Sequence, residues 1–82
     1  MRKEKADIKE LLQQFGDHIK QLRKEKGMKA SELARVMETD KGTISRIERG
    51  ELNPSLHFLC QLSEGFGISL QELLKNFNPP IE

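Results

Sequence analysis

The sequence predicts an all-α fold, a compact set of five helices on one small core, from three observations. Apolar residues recur three and four apart along most of the chain. Helix start and stop signals divide it into five segments, and no strand-like alternation, internal repeat or low-complexity tract interrupts them. A length of 82 residues suffices for one domain.

Ile8, Leu11, Leu12, Phe15, Ile19 and Leu22 form the stripe of a long amphipathic first helix that stops at Gly27. Gly16 lies inside that stripe, where glycine costs roughly 1 kcal/mol relative to alanine. A kink or break is therefore admitted there, and residues 1–14 are read as a helical or partly ordered extension. Leu33, Ala34 and Met37 mark a short second helix. Asp40 caps a third, whose buried ridge is Ile44 and Ile47 and whose stop is Gly50. Asn53-Pro54-Ser55 starts a fourth, with Asn53 supplying the cap oxygen and Pro54 the first turn; Leu56, Leu59, Cys60 and Phe66 are expected to face inward. Ser69 and Glu72 have the spacing of a capping box, so a fifth helix runs from Leu70 to about Phe77 and ends before Pro79-Pro80. The domain proper is residues 15–77, followed by a tail at 78–82.

Composition argues against an enzyme. With 35% hydrophobic and 33% charged residues the chain fills a thin core and leaves little for a deep substrate cavity. Its apolar runs are short, pairs such as Leu11-Leu12, Phe58-Leu59 and Leu73-Leu74, against the roughly 20 residues a membrane span needs. The charged start, Met1-Arg2-Lys3-Glu4-Lys5, leads into no apolar segment, so no secretory signal is read and a cytoplasmic location is expected. A lone Cys60 supplies neither a disulfide nor a zinc framework; it is read as a buried inert thiol, with redox sensing as the alternative. His18 and His57 are read as surface residues with no metal-site or catalytic spacing, so neither metal nor cofactor is expected. Net charge is only +1, but residues 1–49 hold 13 basic and 9 acidic side chains while residues 50–82 hold one basic and four acidic. An anionic partner should meet the first part.

The second and third helices, residues 28–37 and 41–49, are joined by about three residues, too few for antiparallel packing and right for the steep crossing of a helix-turn-helix. With Ile44 and Ile47 turned inward, Lys41, Gly42, Thr43, Ser45 and Arg46 are left toward solvent, a hydrogen-bonding and cationic face suited to the DNA major groove. Residues 15–74 here resemble the phage-repressor-like, or xenobiotic response element (XRE), helix-turn-helix family. The resemblance is carried by Phe15-Gly16-Asp17-His18-Ile19, Leu22-Arg23-Lys24-Glu25-Lys26-Gly27-Met28, Glu32-Leu33-Ala34, Thr43-Ile44-Ser45-Arg46-Ile47-Glu48-Arg49-Gly50, Asn53-Pro54-Ser55-Leu56 and Gly67-Ile68-Ser69-Leu70. It implies a lambda-repressor-like domain with its second and third helices as the DNA-binding pair.

The resemblance also assigns roles. Ala34 must be small where the two helices meet. Arg23 and Glu48 stand where such domains pair a guanidinium with a carboxylate, and breaking such a pair costs about 3 to 5 kcal/mol if burial is deep; otherwise Glu48 is a solvated acid. Lys41, Gly42, Thr43 and Arg46 are the expected base contacts. Arg46 is first choice for a guanine, with a phosphate, Glu48 or Glu51 as its alternative partners. Gly42 reads nothing itself and either permits close backbone approach or weakens helix and specificity together. Lys29, Ser45 and Asn53 are the expected phosphate contacts.

Departures from the family pattern bear on docking. Lys29 and Ala30 replace the usual cap and Gln at the start of the second helix. Glu38 replaces the usual glycine in the tight turn, so either the turn is strained by roughly 1 to 2 kcal/mol or the second helix runs further. Asp40 brings negative charge close to phosphate. The resemblance implies a homodimeric regulator, read as a repressor, with third helices in successive major grooves about 34 Å apart. Phe58, Leu70, Leu74 and Phe77 are candidates for the dimer contact, and Ile8, Leu11 and Leu12 compete with them. Arg2, Lys3 and Lys5 are read as a frayed tail, or else as a basic arm on DNA. The rival reading is an antitoxin-like interaction module that masks a regulatory protein partner through the fourth and fifth helices. A continuous positive strip along the third helix would favour DNA, and a broken one the rival.

Overall fold

In a computed structural model, which describes residues 5–77, five helices follow one another: α1 (Lys5–Glu25), α2 (Ala30–Val36), α3 (Lys41–Glu48), α4 (Leu56–Phe66) and α5 (Leu70–Leu73). No strand occurs among the described residues. The expected arm at Arg2 and Lys3, the side chain of Lys5, and the tail with Pro79-Pro80 lie outside the description.

Each helix sends one side chain fully out of water. Ile19, Leu33, Ile44, Leu62 and Leu73 are all less than 2% exposed and come from α1, α2, α3, α4 and α5 in turn. Burying a side chain of this size contributes about 1.5 to 3 kcal/mol, so no helix is dispensable to the core. Phe15, Ala34, Met37, Ile47 and Phe66 complete it. Ala34 is small where the chain turns back, and its carbonyl accepts the Thr39 N–H at 2.9 Å.

α1 runs through Gly16 without a break. A Cβ at residue 16 would stand 2.5 Å from the Ile47 carbonyl oxygen and 2.6 Å from that of Glu48. The glycine is there for close approach of α3's backbone, which the admitted kink or break did not anticipate. Gly50 serves the same seam from the other side, because a Cβ on it would meet the Gln13 Cα at 2.9 Å.

Four helices end in one way. The residue just past the helix adopts a left-handed backbone, and the next N–H reaches back to the last turn. Gly27, Gly50 and Gly67 provide the left-handed residue after α1, α3 and α4, with φ of 68°, 77° and 72°. After α2 it is Glu38, at φ 58°. The reach-back bonds are Met28 to Arg23, Thr39 to Ala34, Glu51 to Arg46 and Ile68 to Ser63, at 2.8 to 3.1 Å. Of the two possibilities for the helix-turn-helix corner, the strained turn is the one adopted: α2 stops at Val36 and does not run on.

Several local expectations are corrected. α4 starts at Leu56 and its cap is Ser55, whose Oγ accepts the Phe58 N–H at 3.0 Å, so Asn53 and Pro54 precede the helix. Leu56, expected inside, is 68% exposed on that first turn, while Leu62, passed over, is buried. α5 stops at Leu73, although its start is the expected reciprocal box between Ser69 and Glu72. Asn76 then turns left-handed at φ 69° and Phe77 folds back, its ring edge-on to Phe15 with centroids 5.4 Å apart. His18 is not a surface residue. It is half-buried beside Phe77, and its Nε2–H donates to the Leu73 carbonyl at 2.7 Å, pinning the end of α5 to α1. His57 is exposed as expected, and Cys60 is half-buried rather than sealed.

Candidate nucleic-acid interface

The front of α3 is built by what holds its back. Ile44 and Ile47 sit in the core at 1% and 2% exposure, which fixes the rotation of an eight-residue helix and sends the intervening positions outward. Its first turn is closed by Asp40, whose Oδ1 accepts the Thr43 N–H at 2.7 Å. Its last turn is tied to α1. Arg23 donates through Nε to Glu48 Oε2 at 2.7 Å and through Nη2 to Oε1 at 3.1 Å, and its Nη1 donates to the Met28 carbonyl at 2.8 Å. The two side chains are only 12% and 8% exposed. One guanidinium thus fixes α1, the α1–α2 connection and α3 together, and the Glu48 bond holds the Arg23 proton more firmly than usual.

The expected base-contact residues share that front. Lys41, Gly42 and Arg46 are exposed, Gly42 and Arg46 lie one turn apart, and Thr43 is half-buried at the flank with its N–H committed to Asp40. Arg46 is freed from two of its alternatives. Glu48 is engaged by Arg23, and Glu51 by Arg49 through bonds of 3.0 and 3.1 Å. Among the described residues the Arg46 guanidinium has no hydrogen-bond partner. Its charge is nonetheless felt by both neighbouring acids. Asp40 is held below the ordinary aspartate value, first by the Thr43 backbone bond and then in part by Arg46; Glu51 is held low first by its bond to Arg49 and in part by Arg46.

The expected phosphate contacts are not gathered by any bond between them. Lys29 precedes α2, where Glu32 Oε1 accepts the Lys29 N–H at 2.7 Å; an ammonium cannot accept, so only this half of a box forms. Asn53 is exposed in the loop before α4, and Ser45 is half-buried on α3. Phe58, Leu70, Leu74 and Phe77 are half-buried and lean on the core, which leaves each with part of its surface free. The apolar competitors Ile8 and Leu11 are 52% and 39% exposed near the outer end of α1.

Sequence reasoning passed over the Arg49–Glu51 pair, although the spacing across the Gly50 turn signalled it. The front of α3 is consequently cationic but bounded by acids: Lys41, Arg46 and Arg49 are flanked by Asp40 at one end and Glu51 at the other. Among the described residues no group of acids, His and Cys is placed to hold a metal, and no helix is long and apolar enough to cross a membrane.

A family model described as helix-turn-helix matches residues 19–73. The chain is 45% identical over 61 residues to the HTH-type transcriptional regulator SinR of Bacillus subtilis (strain 168); the match takes in 73% of this chain and 55% of SinR. It therefore spans little more than half of that relative's length. The control protein C.MunI of Mycoplasma sp is 40% identical over 63 residues, covering 76% of this chain and 85% of C.MunI. Among solved structures, the restriction-modification controller protein C.AhdI from Aeromonas hydrophila superposes with a TM-score of 0.72 at 32% identity, over 76% of this chain and 94% of that one.

Proposed function

Because the chain belongs to the helix-turn-helix family, we propose that it is a double-stranded DNA-binding transcriptional regulator that reads sequence with the front of α3. The relatives named as a transcriptional regulator and as control proteins support this. The observation that carries it is the combination at Arg46: an exposed guanidinium, unbonded among the described residues, on a helix whose back is fixed by Ile44, Ile47 and the Arg23–Glu48 fork. A rigid support matters because a groove contact rewards alignment, and two parallel donors on guanine give about 1 to 3 kcal/mol of discrimination.

In this reading Lys41, Gly42, Thr43 and Arg46 face base edges, while Lys29, Ser45 and Asn53 hold phosphate. A single α3 covers too little DNA for tight selection, so the working unit is a homodimer on half-sites about 34 Å apart. Its contact is the remaining free surface of Phe58, Leu70, Leu74 and Phe77. Bound across a promoter it represses by occupancy in the cytoplasm, with no cofactor and no catalysis. Most of the affinity comes from phosphate, so binding weakens steeply with salt.

The test is selection of duplex fragments from a genomic pool by purified protein, repeated with Arg46→Ala. Loss of sequence preference at a guanine in each half-site is expected; unchanged preference removes Arg46 from the reading set. Light scattering on Leu74→Asp, with helicity checked by circular dichroism, should report a folded monomer, and a persistent dimer moves the contact to Ile8 and Leu11.

The acids Asp40 and Glu51 at the two ends of the α3 strip are the observation that favours the rival, an antitoxin-like module binding a protein partner. Against it, Phe58 and Phe77 are partly spent on the monomer core, which leaves Leu56 as the large exposed apolar side chain of α4.

A further inference from the structure

An acid on a DNA-facing surface repels phosphate, so Asp40 needs a reason beyond capping, which Ser, Thr or Asn would perform without the charge. Three features of its setting supply one. The carboxylate is held by the Thr43 N–H at 2.7 Å on Oδ1, with the Thr43 side chain and the Gly42 N–H also close to it, and the residue is exposed. Gly42 puts no side chain beside it: a Cβ built there would come into van der Waals contact with Asp40 Oδ1, at 3.4 Å. Its proton affinity is lowered first by the Thr43 backbone bond and only in lesser part by Arg46, which does not bond it and so leaves its acceptor capacity untaken. Lys41, the other cation at this end of α3, is exposed and makes no bond to it.

We propose that Asp40 is a base-reading residue that selects cytosine in each half-site, with Gly42 kept bare so that the exposed carboxylate reaches the base edge. This rests on the DNA-binding reading above. The chemistry singles out one base. In the major groove guanine presents only acceptors, N7 and O6, and thymine presents the O4 acceptor and a methyl, all of which a carboxylate repels. Adenine offers its N6 amino group but sets the N7 acceptor beside it. Cytosine offers the N4 amino donor with a C–H rather than an acceptor beside it on its own ring, and a carboxylate accepts from it. The same charge that lowers affinity for phosphate generally thus raises discrimination at one position. The glycine at 42 and the acid at 40 are one device, in which the vacancy belongs to its neighbour.

The test uses the full-length protein and a pool of randomised duplexes, comparing wild type with Asp40→Asn, which retains the cap. Wild type should select a cytosine in each half-site that is about tenfold preferred over thymine in paired titrations. Asp40→Asn should lose that column, or convert it to adenine, which Asn reads bidentately, while every other column stands and binding to unrelated DNA tightens. Gly42→Ala, which leaves the charge intact but covers it, should blunt the same column. An unchanged base pattern with uniformly tighter binding in Asp40→Asn overturns the inference and leaves Asp40 a cap alone, as does a loss of all columns together. If wild type binds no duplex at low salt, the DNA-binding reading falls and this falls with it; the two failures are therefore distinct.

Discussion

The ends of α2 and α3 form the same hydrogen-bonded turn twelve residues apart, one with Glu38 and the other with Gly50 in the left-handed position. Backbone geometry alone therefore does not dictate glycine. What separates the two is the neighbour. At Gly50 the backbone of α1 passes so close that a Cβ would lie 2.9 Å from Gln13 Cα and 3.0 Å from Gln13 N. At the corner after α2 the Glu38 side chain stands exposed. A left-handed turn facing solvent tolerates a side chain at a cost of roughly 1 to 2 kcal/mol; one backed by another helix does not. The end of α3 is thus specified twice, by φ and by packing, and the end of α2 once.

Among changes at these left-handed turns, Gly50→Ala should accordingly be the most damaging. It adds the left-handed penalty to an overpacking term of about 1 to 3 kcal/mol, and urea denaturation should show a loss of about 3 kcal/mol. Gly27→Ala separates the two contributions, since φ there is 68° and nothing stands within 4 Å of the added Cβ. Its loss should be only about 1 kcal/mol, strain partly offset by the smaller entropy of the unfolded alanine chain. Equal losses at 27 and 50 would mean that the α1 neighbour contributes nothing, and the distinction would fail.

The same reasoning explains what was legible in the sequence. Periodicity identified Ile19, Leu33, Ala34, Ile44 and Ile47 as core because each helix buries one stripe, and the Arg23–Glu48 fork was readable from its motif. Signals that act within four residues also held, as with Asp40 and the Ser69 box. Contacts between distant segments that no motif carries were illegible. Gly16 reads locally as a weak point of a helix, and only the approach of the Ile47 and Glu48 carbonyls shows why it is needed. His18 gives no local hint of a carbonyl 55 residues away. Around Pro54 two cap residues, Asn53 and Ser55, competed within one short window, and the choice of Ser55 moved Leu56 from the expected interior to the surface. At the interface, Arg46 was named from its place on the face, but its freedom depended on Glu51 pairing with Arg49.

The smallest expected effect is also the sharpest. Glu38→Gly removes the left-handed strain of roughly 1 to 2 kcal/mol but returns about 0.4 to 1 kcal/mol of conformational entropy to the unfolded chain. A net gain of about 0.5 to 1 kcal/mol should appear as a higher urea midpoint at unchanged slope. The turn's bonds, from Glu38 N–H to Arg35 and from Thr39 N–H to Ala34, involve backbone only, so α3 should keep its pose and its base preference while stability rises. A loss of stability instead would show that the Glu38 side chain stabilises the corner by more than the strain it carries. The helix-turn-helix corner would then be specified by its side chain, as the end of α3 is specified by the absence of one.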